Sequence, residues 1–273
     1  MTLIPLAREI MDVFEKLNIE DAGKISKIKF ENLRDVVTEL DLDLHKLVSD
    51  YCAKSLPGTL FLSEENSDNA NIWERIVRER SILVVDPLDG SNNLACGLQE
   101  YGFMATILTN GKFSESLIIL PNENQMIRWN SQNGVLFSKD VLHRELVSAT
   151  AYLAYPPRLS HSQIQTRTKI MSKLDTLSAG VYRYGSAALG LYRTAIGAHS
   201  TFVGLDMRPW DVISYFPILK SLGASVTYSA SSEAITILVS KNIEIFTAIK
   251  GDLSSQIGEF VDFAVGDELR LIK

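Results

Sequence analysis

The stretch Val84-Val85-Asp86-Pro87-Leu88-Asp89-Gly90-Ser91-Asn92-Asn93 carries the reading of this chain. It sets two carboxylates three residues apart, directly after the apolar run 82–85 and directly before a small polar turn. The order predicts a strand that stops near Val85 and turns sharply, because Pro87 has no N–H for a ladder and Gly90 readily takes positive φ. Both carboxylates then project from the carboxyl end of that strand. Ser91 and Asn92 are good helix caps, so the amides after Gly90 are expected at a helix start, where an anion is favoured. Carboxylates for a hard cation beside amides for a phosphate point to metal-assisted phosphoryl chemistry.

An isolated Asp-x-x-Asp-Gly is usually a surface turn, and two further segments weigh against that here. Phe61-Leu62-Ser63-Glu64-Glu65-Asn66 ends another short apolar run in paired acids. Pro209-Trp210-Asp211-Val212 places one acid at the start of an apolar, helix-like run reaching Leu222, with Gly223 as its stop signal. Three acidic clusters at element ends can converge in one cleft. Carboxylates held that close repel one another and are partly protonated without a counter-charge, and a divalent metal removes that penalty.

Together with Asp35-Val36-Val37-Thr38-Glu39-Leu40-Asp41, these segments resemble the four signature segments of the inositol monophosphatase family. That is the lithium-sensitive, magnesium-dependent superfamily that includes fructose-1,6-bisphosphatases and 3'-phosphoadenosine 5'-phosphate phosphatases. The segments stand in the family's order and at similar spacings, over nearly the whole chain. The resemblance implies a layered α-β-α-β-α sandwich, α+β or α/β in class, with the site at the junction of two halves. Residues 1–143 would form an α+β half whose antiparallel sheet carries most metal ligands. Residues 144–273 would form an α/β half supplying Asp211 and substrate contacts, with the seam at 143–146.

Carried over residue by residue, the resemblance implies that Glu64, Asp86, the Leu88 carbonyl and the Ser91 hydroxyl hold the metal that activates water. Asp86, Asp89 and Asp211 would hold a second ion, with Asp86 bridging the two. Oxygen-only ligands favour Mg²⁺ or Mn²⁺ over zinc, as two or three ions. Asp41 would polarise Ser91 and help accept the water's proton, which makes Glu64, Asp41 and Ser91 the catalytic group. Read locally, Asp41 is equally a helix cap, Glu65 a solvated acid and Ser91 a cap. The amides of Gly90, Ser91 and Asn92 would cradle the phosphate. Tyr184-Gly185-Ser186-Ala187 resembles the family's turn that contacts the substrate's polyol, although a strand-to-helix junction capped by Ser186 explains it locally. Trp210 is expected to buttress Asp211, and Trp73 and Trp129 to pack.

The chain departs from the inositol-specific pattern in places. Gly204 stands seven residues before Asp211, where those members carry a glutamate that accepts hydrogen bonds from ring hydroxyls. Asp206 or Arg208 then becomes the candidate for recognition, and Arg208 suits a second anionic group. Ser91-Asn92-Asn93 replaces a threonine-containing run while keeping the hydroxyl. Lys29 is the nearest lysine to the one used near the activating water.

Composition agrees with an ordinary globule: 273 residues, 46% hydrophobic and 22% charged, enough for one large unit or two closely packed domains. A net charge of −6 and the lack of a basic stripe argue against nucleic acid or an anionic membrane as partner. Arg8, Glu9, Asp12, Glu15 and Lys16 interrupt the apolar residues of the start, which reads as an amphipathic helix rather than a signal peptide. No run approaches the ~18 apolar residues of a membrane span, and a cytoplasmic location is expected. Cys52 and Cys96 lack metal spacing and read as small buried hydrophobes. His45, His143, His161 and His199 form no nucleophile–His–acid pattern. The expected function is Mg²⁺-dependent hydrolysis of a small inositol, cyclitol or sugar phosphate by a homodimer. A 3'-phosphoadenosine 5'-phosphate, fructose-1,6-bisphosphate or histidinol-phosphate phosphatase, or a non-catalytic regulatory member of the fold, stays open.

Periodicity predicts helices over 4–17 and 42–55, then strands over 60–63, 82–85, 102–109, 113–120, 125–129 and 134–137, with Asn110-Gly111 as a hairpin turn. The second half is expected to alternate strands over 147–154, 180–184, 201–203, 225–228, 235–239 and 243–248 with helices over 162–174, 186–196, 210–222 and 253–265.

Overall fold

The computed structural model describes residues 2–17, 22–28, 36–66, 71–141, 149–157 and 159–270. Asp35, Lys29, His143 and the expected seam at 143–146 lie outside them.

Strict alternation in the long strands buries both faces of two sheets. The first sheet has the order β3-β4-β5-β6-β7-β8, made of Leu60–Ser63, Ser81–Asp89, Gly102–Thr109, Lys112–Leu120, Gln125–Asn130 and Gly134–Phe137. Only β3 and β4 run parallel; the other neighbours are antiparallel. Leu83, Val85, Phe103, Ala105, Ile107, Leu117 and Ile119 face one way and pack against α1 (Ile4–Glu15) and α2 (Glu39–Ser55). Ile82, Val84, Met104, Leu108, Ile118 and Leu120 face the other way. A small ribbon of β1 (Ile25–Ile28) and β2 (Val36–Thr38) leads into α2.

The second sheet has the order β10-β9-β11-β13-β12-β14, from Gly180–Tyr182, Thr150–Ala154, Thr201–Met207, Ile235–Ser240, Ser225–Ala230 and Val261–Asp262. Its Tyr152, Phe202, Ile237 and Val239 share one core with the inner face of the first sheet and with α6 (Ala187–Ala195) and α7 (Phe216–Ser221). Its opposite face, with Ala151, Leu153, Val203 and Leu238, packs against α5 (His161–Leu177) and α8 (Ile243–Ile257). The layers are therefore helix, sheet, helix, sheet, helix. No helix among the described residues is long and apolar enough to cross a membrane.

Several local expectations change. Strand β4 does not stop at Val85 but continues to Asp89, with an irregular register between Asp86 and Asp89 against β5. A bulge is where a strand tolerates a proline, because a missing N–H there breaks no ladder bond. The expected strand 243–248 is the start of α8, since Asn242 accepts from the amides of Glu244 and Ile245 at 3.0 Å each. Ile245, Phe246, Ile249 and Leu253 then bury one helical face. That helix ends at Ile257 rather than running over 253–265. The expected helix 210–222 splits into 3-10 turns Pro209–Asp211 and Ile213–Tyr215 followed by α7. Pro217, near the start of α7, has no N–H to continue a helix from upstream. The Asn110-Gly111 turn is as read, both residues at positive φ. Helices α3 (Ile72–Arg78) and α4 (Ser91–Ala95) complete the fold. Cys52 is buried, whereas Cys96 is exposed and not the buried hydrophobe expected.

Candidate active site

Parallel pairing of β3 with β4 sets Ser63 opposite Val85, so Glu64, just past the end of β3, comes beside Asp86, which is still paired within β4. Asp211 arrives from the 3-10 turn after β11, where its Oδ2 accepts from the Arg208 amide at 3.0 Å. One carboxylate oxygen from each of Glu64, Asp86 and Asp211 lies within 4.8 Å of the other two. They line a cleft of about 1210 Å³, together with Leu88, Asp89, Gly90, Ser91, Asn92, Gly185, Ser186, Ala187 and Arg208.

This clustering is electrostatically costly. Burial, then the charges of Glu64, Asp89, Asp211 and Asp41, push the Asp86 carboxyl well above the ordinary range. Burial, Glu64 and Asp89 do the same to Asp211, against the Arg208 amide and charge. Burial carries Asp89 up to about 6, opposed by the Ser186 hydroxyl and the amides of Ala188 and Ala187. Three converging carboxylates, with only oxygen donors and a neutral carbonyl beside them, suit a hard divalent cation.

Asp89 stands outside the 4.8 Å trio. Its Oδ1 accepts from the Ala187 amide at 3.1 Å, and its Oδ2 from the Ala188 amide at 2.9 Å and from the Ser186 hydroxyl. The acid thus anchors the N-terminus of α6, a favourable place for a carboxylate; Oδ2 has both lone pairs engaged there, and Oδ1 keeps one further lone pair. Ser186 also caps α6 by accepting from the Leu189 amide at 3.2 Å.

Ser91 is not the cap of α4; Gly90 holds that position at φ 95° with no side-chain bond. The Ser91 hydroxyl lies 2.6 Å from Asp41 Oδ1 and 2.9 Å from the Leu88 carbonyl. Asp41 does not line the cleft; it is the third residue of α2, in a capping box with Thr38. Asp41 is therefore not the cap itself, which is Thr38, but its partner in the capping box, and its other oxygen accepts from Ser91. Only glycine suits position 90, because a Cβ there would sit 2.5 Å from the Glu100 carbonyl oxygen.

A profile of the inositol monophosphatase family matches residues 3–252. The chain belongs to the inositol monophosphatase family. With that membership comes its class, a phosphoric monoester hydrolase. The chain is 25% identical over 213 residues to the fructose-1,6-bisphosphatase/inositol-1-monophosphatase of Thermotoga maritima, covering 78% of this chain and 79% of that one. It is 24% identical over 246 residues to the inositol-1-monophosphatase of Bacillus subtilis, covering 86% and 91%. In fold it is similar to an IMPase/NADP phosphatase solved with Mg²⁺ and phosphate, with a TM-score of 0.73 at 17% identity over 94% of this chain and 95% of that one.

The departure at Gly204 has a structural reason in this family member. Gly204 is buried in β11, where a Cβ would lie 2.9 Å from both Ile237 Cγ2 and Met207 Cγ. Position 204 thus faces the core, and the cleft wall falls to Asp206, at φ 49° in the irregular end of β11. A non-glycine residue at positive φ is strained, and such strain concentrates at functional sites. Arg208 also lines the cleft, but its Nη1 donates to the Glu233 carbonyl at 3.0 Å.

Sequence reasoning missed Asn93. Its Nδ2 donates to the carbonyls of Glu100 at 2.6 Å and Tyr184 at 2.8 Å, pinning the turn before Ser186 to the acidic turn. The Asn92-Asn93 doublet was the available signal, since a second asparagine in a five-residue helix has low helix propensity and needs another reason.

Proposed function

We propose that the protein is a Mg²⁺-dependent phosphomonoesterase that hydrolyses a small phosphorylated metabolite of the inositol, cyclitol or sugar phosphate class. The observation that carries this reading is the meeting of Glu64, Asp86 and Asp211 within 4.8 Å. Those three carboxylates, Asp89, the Leu88 carbonyl and the Ser91 hydroxyl would hold two or three ions. Bound there, Mg²⁺ supplies Lewis acidity for the phosphoryl and leaving oxygens and lowers the pKa of water.

The chain's own groups do the rest. The Ser91 proton is directed at Asp41 Oδ1, so the lone pairs of Oγ stay available as a ligand and Asp41 is the acceptor at the end of that path. The amides of Gly90, Ser91 and Asn92 orient the phosphate by donating to its oxygens. Gly185, Ser186, Ala187 and Arg208 line the same cleft and bound the leaving group. Trp210, buried and adjacent in sequence to Asp211, would hold that carboxylate in place. A cytoplasmic homodimer belongs to the same reading, with light scattering as the test of its mass.

Phosphate release from inositol 1-phosphate, fructose 1,6-bisphosphate, histidinol phosphate and adenosine 3',5'-bisphosphate tests the reading. Hydrolysis of at least one is expected with Mg²⁺, lost with EDTA or Asp86→Asn and suppressed by Li⁺. Activity surviving both EDTA and Asp86→Asn, or no release from any ester, overturns it.

A further inference from the structure

The cleft wall beyond the acids contains a guanidinium with no acidic partner among the described residues. Arg183 follows β10 and stands three residues before Ser186, whose hydroxyl bonds Asp89. Its guanidinium carbon lies 4.1 Å from the centroid of the Tyr155 ring, and its Nη2 donates to the Tyr155 carbonyl at 3.2 Å. Arg167 of α5 lies over the same ring at 5.2 Å, with a buried Nε that has no hydrogen-bond partner. Stacking and tether together hold the Arg183 fork in one place and leave its other N–H groups to the cleft.

Arg208 and Asp206, which line the same cleft, are engaged with neighbouring groups. Arg208 pairs with Glu233 at 3.7 Å. Asp206 accepts from the Gln163 amide at 2.9 Å. Among the described residues, no carboxylate lies within 4.0 Å of Arg183 or Arg167. A planar, pre-oriented guanidinium on the wall of a substrate cleft, in a chain of net charge −6, is built to receive an anion.

We infer that Arg183, braced by Tyr155, binds a second anionic group on the leaving portion of the substrate. The preferred substrates are then small phosphate monoesters that carry a further phosphate or carboxylate. This rests on the phosphatase reading above. Three residues separate Arg183 from Ser186, which bounds their Cα atoms to about 10 Å, the span of a single sugar. Guanidinium stacking occupies the Tyr155 face, so that ring is not the platform for a purine.

The test compares fructose 1,6-bisphosphate, 2-phosphoglycerate and glycerol 2-phosphate, which offer a second phosphate, a carboxylate and neither. In Arg183→Gln, the kcat/KM of an anion-bearing ester relative to glycerol 2-phosphate is expected to fall at least tenfold, mainly through KM. Arg183→Lys, which keeps the charge and loses the fork, should fall by less. A drop for the bisphosphate alone assigns the site to phosphate, and a drop for 2-phosphoglycerate alone assigns it to carboxylate. Ratios within twofold of wild type for both overturn the inference. Should no ester be hydrolysed, the phosphatase reading fails by itself, and calorimetric titration of fructose 1,6-bisphosphate still decides the subsite. An affinity at least fivefold weaker in Arg183→Gln supports it, and an unchanged one overturns it.

Discussion

The Ser91 hydroxyl lies 2.6 Å from Oδ1 of Asp41, fifty positions earlier in the chain, and ties the first helical layer to the acidic turn. Asp41 Oδ2 accepts from the Thr38 amide at 2.7 Å and its hydroxyl at 2.5 Å, so both oxygens are held. Burial pushes this carboxyl up, while bonds from Ser91 and Thr38 pull it back. Asp41→Asn and Ser91→Ala are each expected to lower kcat by roughly 10²–10⁴. The double variant should fall no further than the worse single one. Phosphate-release kinetics check this, and additive losses would show that the two act separately.

Metal and protons compete at the acidic trio. Removing one of several buried like charges relieves repulsion, so Asp86→Asn is expected to melt higher than wild type in EDTA. Wild type should gain about 2.7 kcal/mol at Mg²⁺ 100-fold above its Kd, a Tm rise of roughly 5–10 °C, and Asp86→Asn should gain far less. Calorimetric scans with and without Mg²⁺ measure both. An equal Mg²⁺ response in the two proteins refutes the assignment of Asp86 to the metal.

Asn93 is 9% exposed and joins the carbonyls of Glu100 and Tyr184, 84 positions apart in the chain. Asn93→Ala leaves both carbonyls unpaired at about 1–3 kcal/mol each and frees the turn that orients Ser186. Urea unfolding should show a loss of roughly 2–5 kcal/mol, with kcat/KM reduced well beyond the loss of folded protein. Gly185 packs against the same side chain, where a Cβ would lie 2.9 Å from Asn93 Oδ1. Bulkier replacements at 93 should do worse than alanine.

His199 is buried, bonded through its ring nitrogens to Thr150 at 2.9 Å and Tyr184 at 3.1 Å. Burial, aided by Arg193, lowers its pKa from 6.5 to about 4. The fold thus prefers the neutral ring: this stability is present above pH 6.5 and is lost as pH falls toward 4, by about 3 kcal/mol in all. Asp89, pushed up to about 6, acts in the opposite sense in metal-free protein, favouring the fold as pH drops. The difference between wild type and His199→Gln cancels the Asp89 contribution. Urea midpoints at pH 7 and 4.5 should show the smaller acid loss in the variant; equal losses exclude His199 as the cause.

Much of the first sheet was readable because short apolar runs bounded by turn residues, and an Asn-Gly turn, are local signals. Strands Leu60–Ser63, Gly102–Thr109 and Gly134–Phe137 begin and end where the apolar runs and turn residues say. Errors fell where a longer-range contact outweighed the local pattern. Pro87 reads as a strand end, yet cross-strand pairing to β5 resumes at Asp89 opposite Gly102. Ile243-Glu244-Ile245-Phe246 alternates like a strand, and only burial against the outer face of the second sheet selects its helical face. Arg183 and Tyr155 stand 28 positions apart, and no spacing rule connects them.

What the sequence determined alone is the inventory: which acids exist, that they cluster near turns, that their donors are all oxygen, and that Gly90 must turn. Those properties follow from side-chain chemistry and from backbone preferences spanning a few residues. Tertiary structure decided the company each group keeps. Parallel registry brings Glu64 beside Asp86, the inter-sheet core delivers Asp211, and Asp89 is turned onto the start of α6. Position 204 faces the core rather than the cleft for the same reason: burial of whole sheet faces, a property of the assembled layers, selects among arrangements that local preference leaves equal.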